Sequence, residues 1–247
     1  MNFILNNIIY FWKIKKFLFL NKNSKKMGAA TYNFKNICSV LNKKKISILF
    51  IQECYREFDS FLPKSKKLFI HNQIQVLCKP IFFNFVNIYI DSINFINKKI
   101  FLKKDNWNSP ILGAKGIGYE SSINNLEISQ ITVFYLFGNK KLFKPILEIT
   151  YGLERIFFLF YTRVFFDERY FLINNLFKIK NIKILIYVYK TFFLNYNKKN
   201  FNFSYKILLK ISSLFNIFDN FYYNNNYNRI KILVLINKIS EKIIEKI

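Results

Sequence analysis

The sequence predicts an α+β fold, and three observations carry the prediction. Two runs near the middle, Glu127 to Phe137 and Pro145 to Tyr151, alternate apolar and polar residues with the period of two expected of a strand with one buried face. Two earlier runs, Ile46 to Gln52 and Lys67 to Lys79, also read as strands. Apolar residues take helical spacing towards either end instead, at Ile4, Ile8 and Trp12, and again over Tyr205 to Asp219 and Arg229 to Ile247. Strands grouped in the middle and helices outside them describe a sheet flanked by helices, followed by a small helical region.

A chain of 247 residues buries one substantial core or two small ones. Its formal net charge of +25 is of the size that marks a nucleic-acid or anionic-surface partner. The abundance of Lys, Asn, Ile, Phe and Tyr, residues of AT-rich codons, accounts for the same excess through composition alone, so both readings stand. Cys38, Cys54 and Cys78 form no CxxC pair and His71 is the single histidine, which argues against a structural zinc site and fits a reducing cytoplasm. In the N-terminal stretch MNFILNNIIYFWKIKKFLFLNKN, Lys13, Lys15 and Lys16 break the apolar run before it reaches membrane-spanning length. Ile156 to Phe166 is short and contains Arg163. The expectation is a soluble, cytoplasmic protein with no membrane partner.

Taken in order, Ile4, Ile8 and Trp12, with Phe11 beside them, form the apolar stripe of an amphipathic first helix. Ile46 to Gln52 is a β-branched strand, and Lys67 to Lys79 places Phe69, His71, Gln73, Gln75 and Leu77 on one face of the next. Asn84 to Lys98 carries Phe85, Ile88, Phe95 and Ile96 at roughly helical spacing and is expected to cover the back of the sheet.

The stretch from Asp105 to Arg155 holds most of the glycines. Its GAKGIG run, Gly113 to Gly118, lacks the GxxxxGK[ST] pattern and reverses the spacing of GxGxxG, so it reads as a turn that lets backbones approach closely. Glu148 and Thr150 share one strand face, as do Gln130 and Thr132. Strict alternation places Glu127 and Gln130 on opposite faces, unless the strand is bulged between them. Gly152 ends the last strand, and Leu153, Glu154 and Arg155 open an apolar helix. Arg155 therefore stands where unpaired backbone N–H groups and the helix dipole favour an anion such as a phosphate.

The same residues carry a family resemblance. EITYGLER, Glu148 to Arg155, resembles motif 3 of class II aminoacyl-tRNA synthetases; DNWNSPILGAKGIGYE with LEISQIT resembles the preceding strands of the bacterial glycyl-tRNA synthetase alpha subunit. The likeness extends over Phe11 to Gln52, Lys67 to Arg155 and Tyr205 to Arg229. It implies a class II antiparallel sheet flanked by helices, with a small C-terminal helical domain. The catalytic domain would span 1–160, with motif 1 about 1–35, motif 2 about 46–79 and motif 3 about 145–160, and the helical domain 161–247.

The resemblance also implies chemistry: glycine and ATP give glycyl adenylate and pyrophosphate, and the glycyl group passes to tRNA-Gly. Arg56 matches the motif 2 arginine that holds the α-phosphate and the attacking carboxylate, with Tyr55 where the family has a second arginine. Arg155 matches the motif 3 arginine on the γ-phosphate; the plain alternative is an ion pair with Glu154 or Glu148. Gln73, Gln75 and Glu120 join Arg56 and Arg155 as ATP-binding candidates, Glu127 is the Mg²⁺ candidate, and Gln130, Thr132, Glu148 and Thr150 are the glycine-binding candidates. Trp107 is a candidate pocket wall or a core aromatic. Partners implied are a second copy of the chain, a beta subunit in an α2β2 assembly, and tRNA-Gly. Alanyl-tRNA synthetase shares parts of this core, and a non-catalytic, basic RNA-binding relic of the fold is the reading from another class.

Overall fold

The computed structural model describes residues 1–55, 68, 70–160, 187, 191, 201–221 and 226–245. Seven strands form one sheet, in the spatial order β1 (Leu18–Met27), β2 (Ile46–Tyr55), β3 (Ile70–Lys79), β7 (Lys140–Gly152), β6 (Leu126–Phe137), β5 (Ala114–Ile123) and β4 (Phe101–Ser109). Every neighbouring pair is antiparallel except β1 with β2, which is parallel. The expected antiparallel sheet is present, with a parallel strand added at one edge. β1 escapes a search for alternation because its last seven residues, NKNSKKM, include a single apolar one.

Two hairpins set the register of the central strands. Asn124 and Asn125, at φ 50° and 61°, join β5 to β6, and Gly138 and Asn139, at φ 61° and 59°, join β6 to β7. Two consecutive residues in the left-handed region make the tight turn whose twist matches that of the paired strands, and Asn and Gly are the residues that enter it most readily. The GAKGIG run departs from the turn expected of it. Gly113 (φ 54°) does turn the chain after β4, but Gly116 and Gly118 lie inside β5. The close approach is real: a Cβ on Gly118 would lie 1.9 Å from the Ile131 carbonyl oxygen, and one on Gly116 2.4 Å from Thr132 Cγ2.

One face of the sheet is covered by α1 (Asn2–Ile14), α3 (Phe85–Ser92) and α4 (Leu153–Phe158), which share a core with Leu49, Ile51, Ile74, Val76, Leu147 and Ile149. Ile4, Ile8 and Trp12 are fully buried there, as the helical spacing of α1 requires. Trp12, Tyr151, Ser92 and Tyr89 each bring a polar atom into this core, and these four are paired. Trp12 Nε1 donates to the Tyr151 hydroxyl at 3.0 Å, Ser92 Oγ lies 2.6 Å from the same hydroxyl, and Tyr89 donates to Ser121 Oγ at 2.7 Å. Burial pushes the Tyr89 phenol up to about 12 and raises Tyr151 too, so both remain neutral hydrogen-bonding groups.

The opposite face is divided. At one end Ile46, Ile48, Phe50, Leu77, Phe134 and Ile146 pack with α2 (Phe34–Asn42), α5 (Phe201–Phe221) and α6 (Asn226–Ile244). Lys79 fastens α2 to the sheet by donating to the carbonyls of Val40 and Leu41, at 3.0 and 3.3 Å, near the helix C-terminus. Further along the same face, the residues two positions on in each strand turn polar together: Gln52 in β2, Gln75 in β3, Glu148 in β7 and Thr132 in β6. Among the described residues, no helix is long and apolar enough to cross a membrane.

Candidate active site

Cross-strand partners in a sheet point to the same side, so the register reads out which side chains share a surface. One row runs Leu77, Glu148, Thr132, Gly118, Asp105 across β3, β7, β6, β5 and β4. The next runs Gln75, Thr150, Gln130, Glu120, Lys103. All four glycine-binding candidates, with Gln75 and Glu120, therefore stand in two adjacent rows. Gln73 follows one row beyond, opposite Gly152.

Glu148 is 5% exposed and its Oε1 accepts from Thr31 Oγ1 at 2.8 Å and Thr150 Oγ1 at 3.3 Å. Gln75 Nε2 in turn donates to Thr31 Oγ1 at 3.2 Å. Two hydroxyl donors favour the carboxylate, but burial outweighs them and lifts its pKa from 4.5 to about 7. No cation balances it among the described residues. Thr31 arrives from a single 3-10 turn, Ala30–Tyr32, which packs on β2 and β3 and reaches Glu148 of β7 through the Thr31 hydroxyl. The Ala30 N–H holds that turn down by donating to Gln73 Oε1 at 3.0 Å, and Tyr205 of α5 braces it by donating to the Tyr32 carbonyl at 3.1 Å. Glu148, Thr31 and Gln75 line a small cavity of about 20 Å³ that continues to Val40, Leu77 and Phe134.

At the far end of β6 the pairing slips. Ser121 faces Ser129, but Ser122 faces Glu127, which leaves Ile128 as an extra residue. Ile128 is buried in the α1–α3–α4 core, and Ser129 pairs with Tyr151 of that core, so two successive side chains point the same way. The bulge brings Glu127 back to the face of Gln130, which resolves the conflict between alternation and the shared site. Arg155, in the single turn or so of α4, donates from Nη1 to Glu127 Oε2 at 2.6 Å and to the Glu127 carbonyl at 3.1 Å. Both remain partly exposed, with side-chain accessibilities of 27% and 38%. Neither carboxylate that the sequence offered as a partner pairs with Arg155. Glu154 accepts instead from the backbone and side-chain nitrogens of Asn72, each at 2.9 Å, and so ties α4 to β3.

Gln73 Oε1 also receives the Cys54 thiol at 3.3 Å. Gln130 Nε2 donates to Asp105 Oδ2 at 2.6 Å. Trp107 packs edge-on against Phe134, centroids 5.1 Å apart, at the apolar end of the same face. Arg56 and, Leu68 apart, the rest of the segment between β2 and β3 lie outside the described residues. Sequence reasoning gave no role to Thr31, Asn33 or Asp105. Asn33 Nδ2 donates to Gln52 Oε1 at 3.0 Å, and Thr31 reaches Glu148 across 117 positions, a contact that no local pattern encodes. Asp105 owes its place to the register that sets it opposite Gly118, which no local pattern in the sequence encodes.

A largely antiparallel sheet whose polar face joins a buried carboxylate, threonine hydroxyls and an arginine at the strand-to-helix junction matches the core expected of a class II aminoacyl-tRNA synthetase. The chain belongs to the glycyl-tRNA synthetase alpha subunit family, whose model matches residues 1–171. It is 31% identical over 159 residues to the glycine–tRNA ligase alpha subunit of Coprothermobacter proteolyticus, covering 62% of this chain and 55% of that one. It is also 31% identical over 155 residues to the glycine–tRNA ligase of Chlamydia muridarum, covering 60% of this chain and 16% of that one. The chain thus matches about half the length of the first relative and much less of the second. A pyrrolysyl tRNA synthetase from Desulfitobacterium hafniense superposes at a TM-score of 0.44 with 11% identity, over 63% of this chain and 67% of that one, too loosely to carry an argument.

Proposed function

We propose that this chain activates glycine with ATP, forming glycyl adenylate and pyrophosphate, and passes the glycyl group to tRNA-Gly together with a beta subunit. The observation that carries the reading is Glu148. A carboxylate sealed on a core strand, held by two hydroxyls and facing no cation among the described residues, is a costly feature. An arriving ammonium group supplies the missing charge.

The amino acid's own carboxylate is the nucleophile, so the chemistry needs placement and charge stabilisation rather than a general base. Glu148 takes the ammonium group, with Thr150, Thr132 and Gln130 beside it on the same two rows. This anchors the substrate at its nitrogen and leaves its carboxylate to approach the α-phosphorus. Arg56 is proposed to hold that phosphate, and Arg155 the γ-phosphate. Arg155 already binds an anionic oxygen at 2.6 Å, that of Glu127, so its guanidinium is oriented before ATP arrives. Gln75, Gln73 and Glu120 are proposed to line the adenylate.

Mg²⁺ takes one or two carboxylates and completes its shell with water and phosphate oxygens, a demand that the partly exposed Glu127, on the same face as Gln130, fits. When bound, it would neutralise charge on the phosphates. Residues 1–160 are proposed as the catalytic domain and 161–247 as the helical domain, acting in the cytoplasm as a dimer with two beta subunits. Glycine-dependent exchange of pyrophosphate into ATP tests the activity, and loss of exchange without loss of fold in Glu148→Gln tests the site.

A further inference from the structure

The hydrogen bond from Gln130 to Asp105 spans an intervening strand. Gln130 pairs with Glu120 and Asp105 with Gly118, so the two side chains meet diagonally over β5. The path is open because Gly118 has no side chain. No other residue fits there, since a Cβ would meet the Ile131 carbonyl oxygen at 1.9 Å.

This contact fixes a choice that a glutamine otherwise leaves open. A primary amide carries a donor and an acceptor of almost the same shape, and either end can face a neighbour. An ionised carboxylate only accepts, so Asp105 draws Nε2 towards itself and turns Oε1 away. The Gln130 side chain makes no second hydrogen bond among the described residues, which leaves Oε1 to accept from a substrate. Reversed, the amide would present N–H groups to an ammonium ion and repel it.

We propose that Asp105 is a positioning residue for the amino-acid site: it locks the Gln130 amide with its carbonyl towards the substrate ammonium, which Glu148 holds from the neighbouring strand. The inference rests on the assignment of Glu148 and Gln130 to the glycine site. It gives the GxG spacing in β5 a purpose, since Gly118 is the gap through which the lock is made.

The test is titration calorimetry on the full chain, with a non-hydrolysable sulfamoyl analogue of glycyl adenylate as probe and ATP as control. Asp105→Asn offers Gln130 a partner that also donates, and should weaken analogue binding on the order of tenfold while leaving ATP within about twofold. Adding Gln130→Glu to that variant should return the analogue to within roughly threefold of wild type, because a carboxylate needs no orienting and the amide introduced on β4 can donate to it. In a Gln130→Met background, Asp105→Asn should change nothing further. Wild-type affinity in Asp105→Asn, or a double variant no better than the single, overturns the proposal. Glu148→Gln separates the two claims: if it weakens binding while Asp105→Asn does not, only the lock fails. If neither variant changes binding, or the wild type does not bind, the glycine-site reading fails with it.

Discussion

Replacing Glu148 by Gln is expected to stabilise the protein above neutral pH while it removes glycine binding. The carboxyl is buried on the core strand β7, and its pKa rises from 4.5 to about 7. An acid whose pKa is raised by folding holds its proton more tightly in the native state. Its contribution to stability is therefore complete below 4.5 and is lost as the pH climbs through about 7. The difference between those two values, at about 1.36 kcal/mol per pH unit, comes to about 3 kcal/mol. Gln keeps the shape, accepts from Thr31 and Thr150, and never ionises. Urea unfolding of both proteins from about pH 4 to 8.5 should show curves that nearly coincide at the acid end. They should separate in favour of Glu148→Gln by about 3 kcal/mol at the alkaline end. All other titrating groups are common to both proteins, so the difference isolates this one. Glycine should narrow the gap in the wild type alone, because its ammonium stabilises the ionised form. A variant less stable than wild type at about pH 8, or a gap that does not change with pH, would refute the account of Glu148 as an uncompensated buried carboxyl.

Two further outcomes follow from the same geometry. Arg155→Ala should lower pyrophosphate exchange at least about 100-fold, the loss typical of a preorganised donor to an anionic oxygen; unchanged exchange in a folded variant would remove Arg155 from the phosphate site. Tyr151→Phe strips the buried partner from Trp12 Nε1 and Ser92 on the helical side of the sheet. It should cost roughly 1–3 kcal/mol in urea unfolding and leave the KM for glycine unchanged; a shifted KM would mean that the two faces are not independent.

Much of this architecture is legible from short-range pattern. The stripe of Ile4, Ile8 and Trp12 appears in the sequence because one side of α1 is buried and the other is not, whereas β2 and β3, covered on both faces, are legible from their apolar and β-branched runs. β7 is longer than its alternation suggests, starting at Lys140 rather than near Pro145, because its first residues form a ribbon whose two sides are both largely exposed. Asn124-Asn125 and Gly138-Asn139 mark those hairpins more directly than hydropathy does. β5 is hidden by its glycines, which serve close packing against β6 rather than burial of a side chain. In the site, Glu148 and Thr150, and Gln130 and Thr132, share a face by parity alone. The bulge at Ile128 is not written in composition, so the sequence leaves open whether Glu127 and Gln130 share a face. Thr31 and Asp105 are placed by chain packing and by sheet register, and their contacts emerge only when distant segments are brought together.

The central claim is that this face binds glycine and turns it into an adenylate. Pyrophosphate exchange into ATP, measured on one preparation with glycine, alanine and serine in parallel, tests it most directly. One methyl group is worth only about 1–3 kcal/mol of positive discrimination, so selectivity must come from a pocket that excludes a Cβ. The account predicts exchange with glycine, little or none with alanine or serine, and loss of the glycine signal in Glu148→Gln. Exchange with alanine equal to that with glycine, or glycine exchange that survives intact in Glu148→Gln, would contradict it.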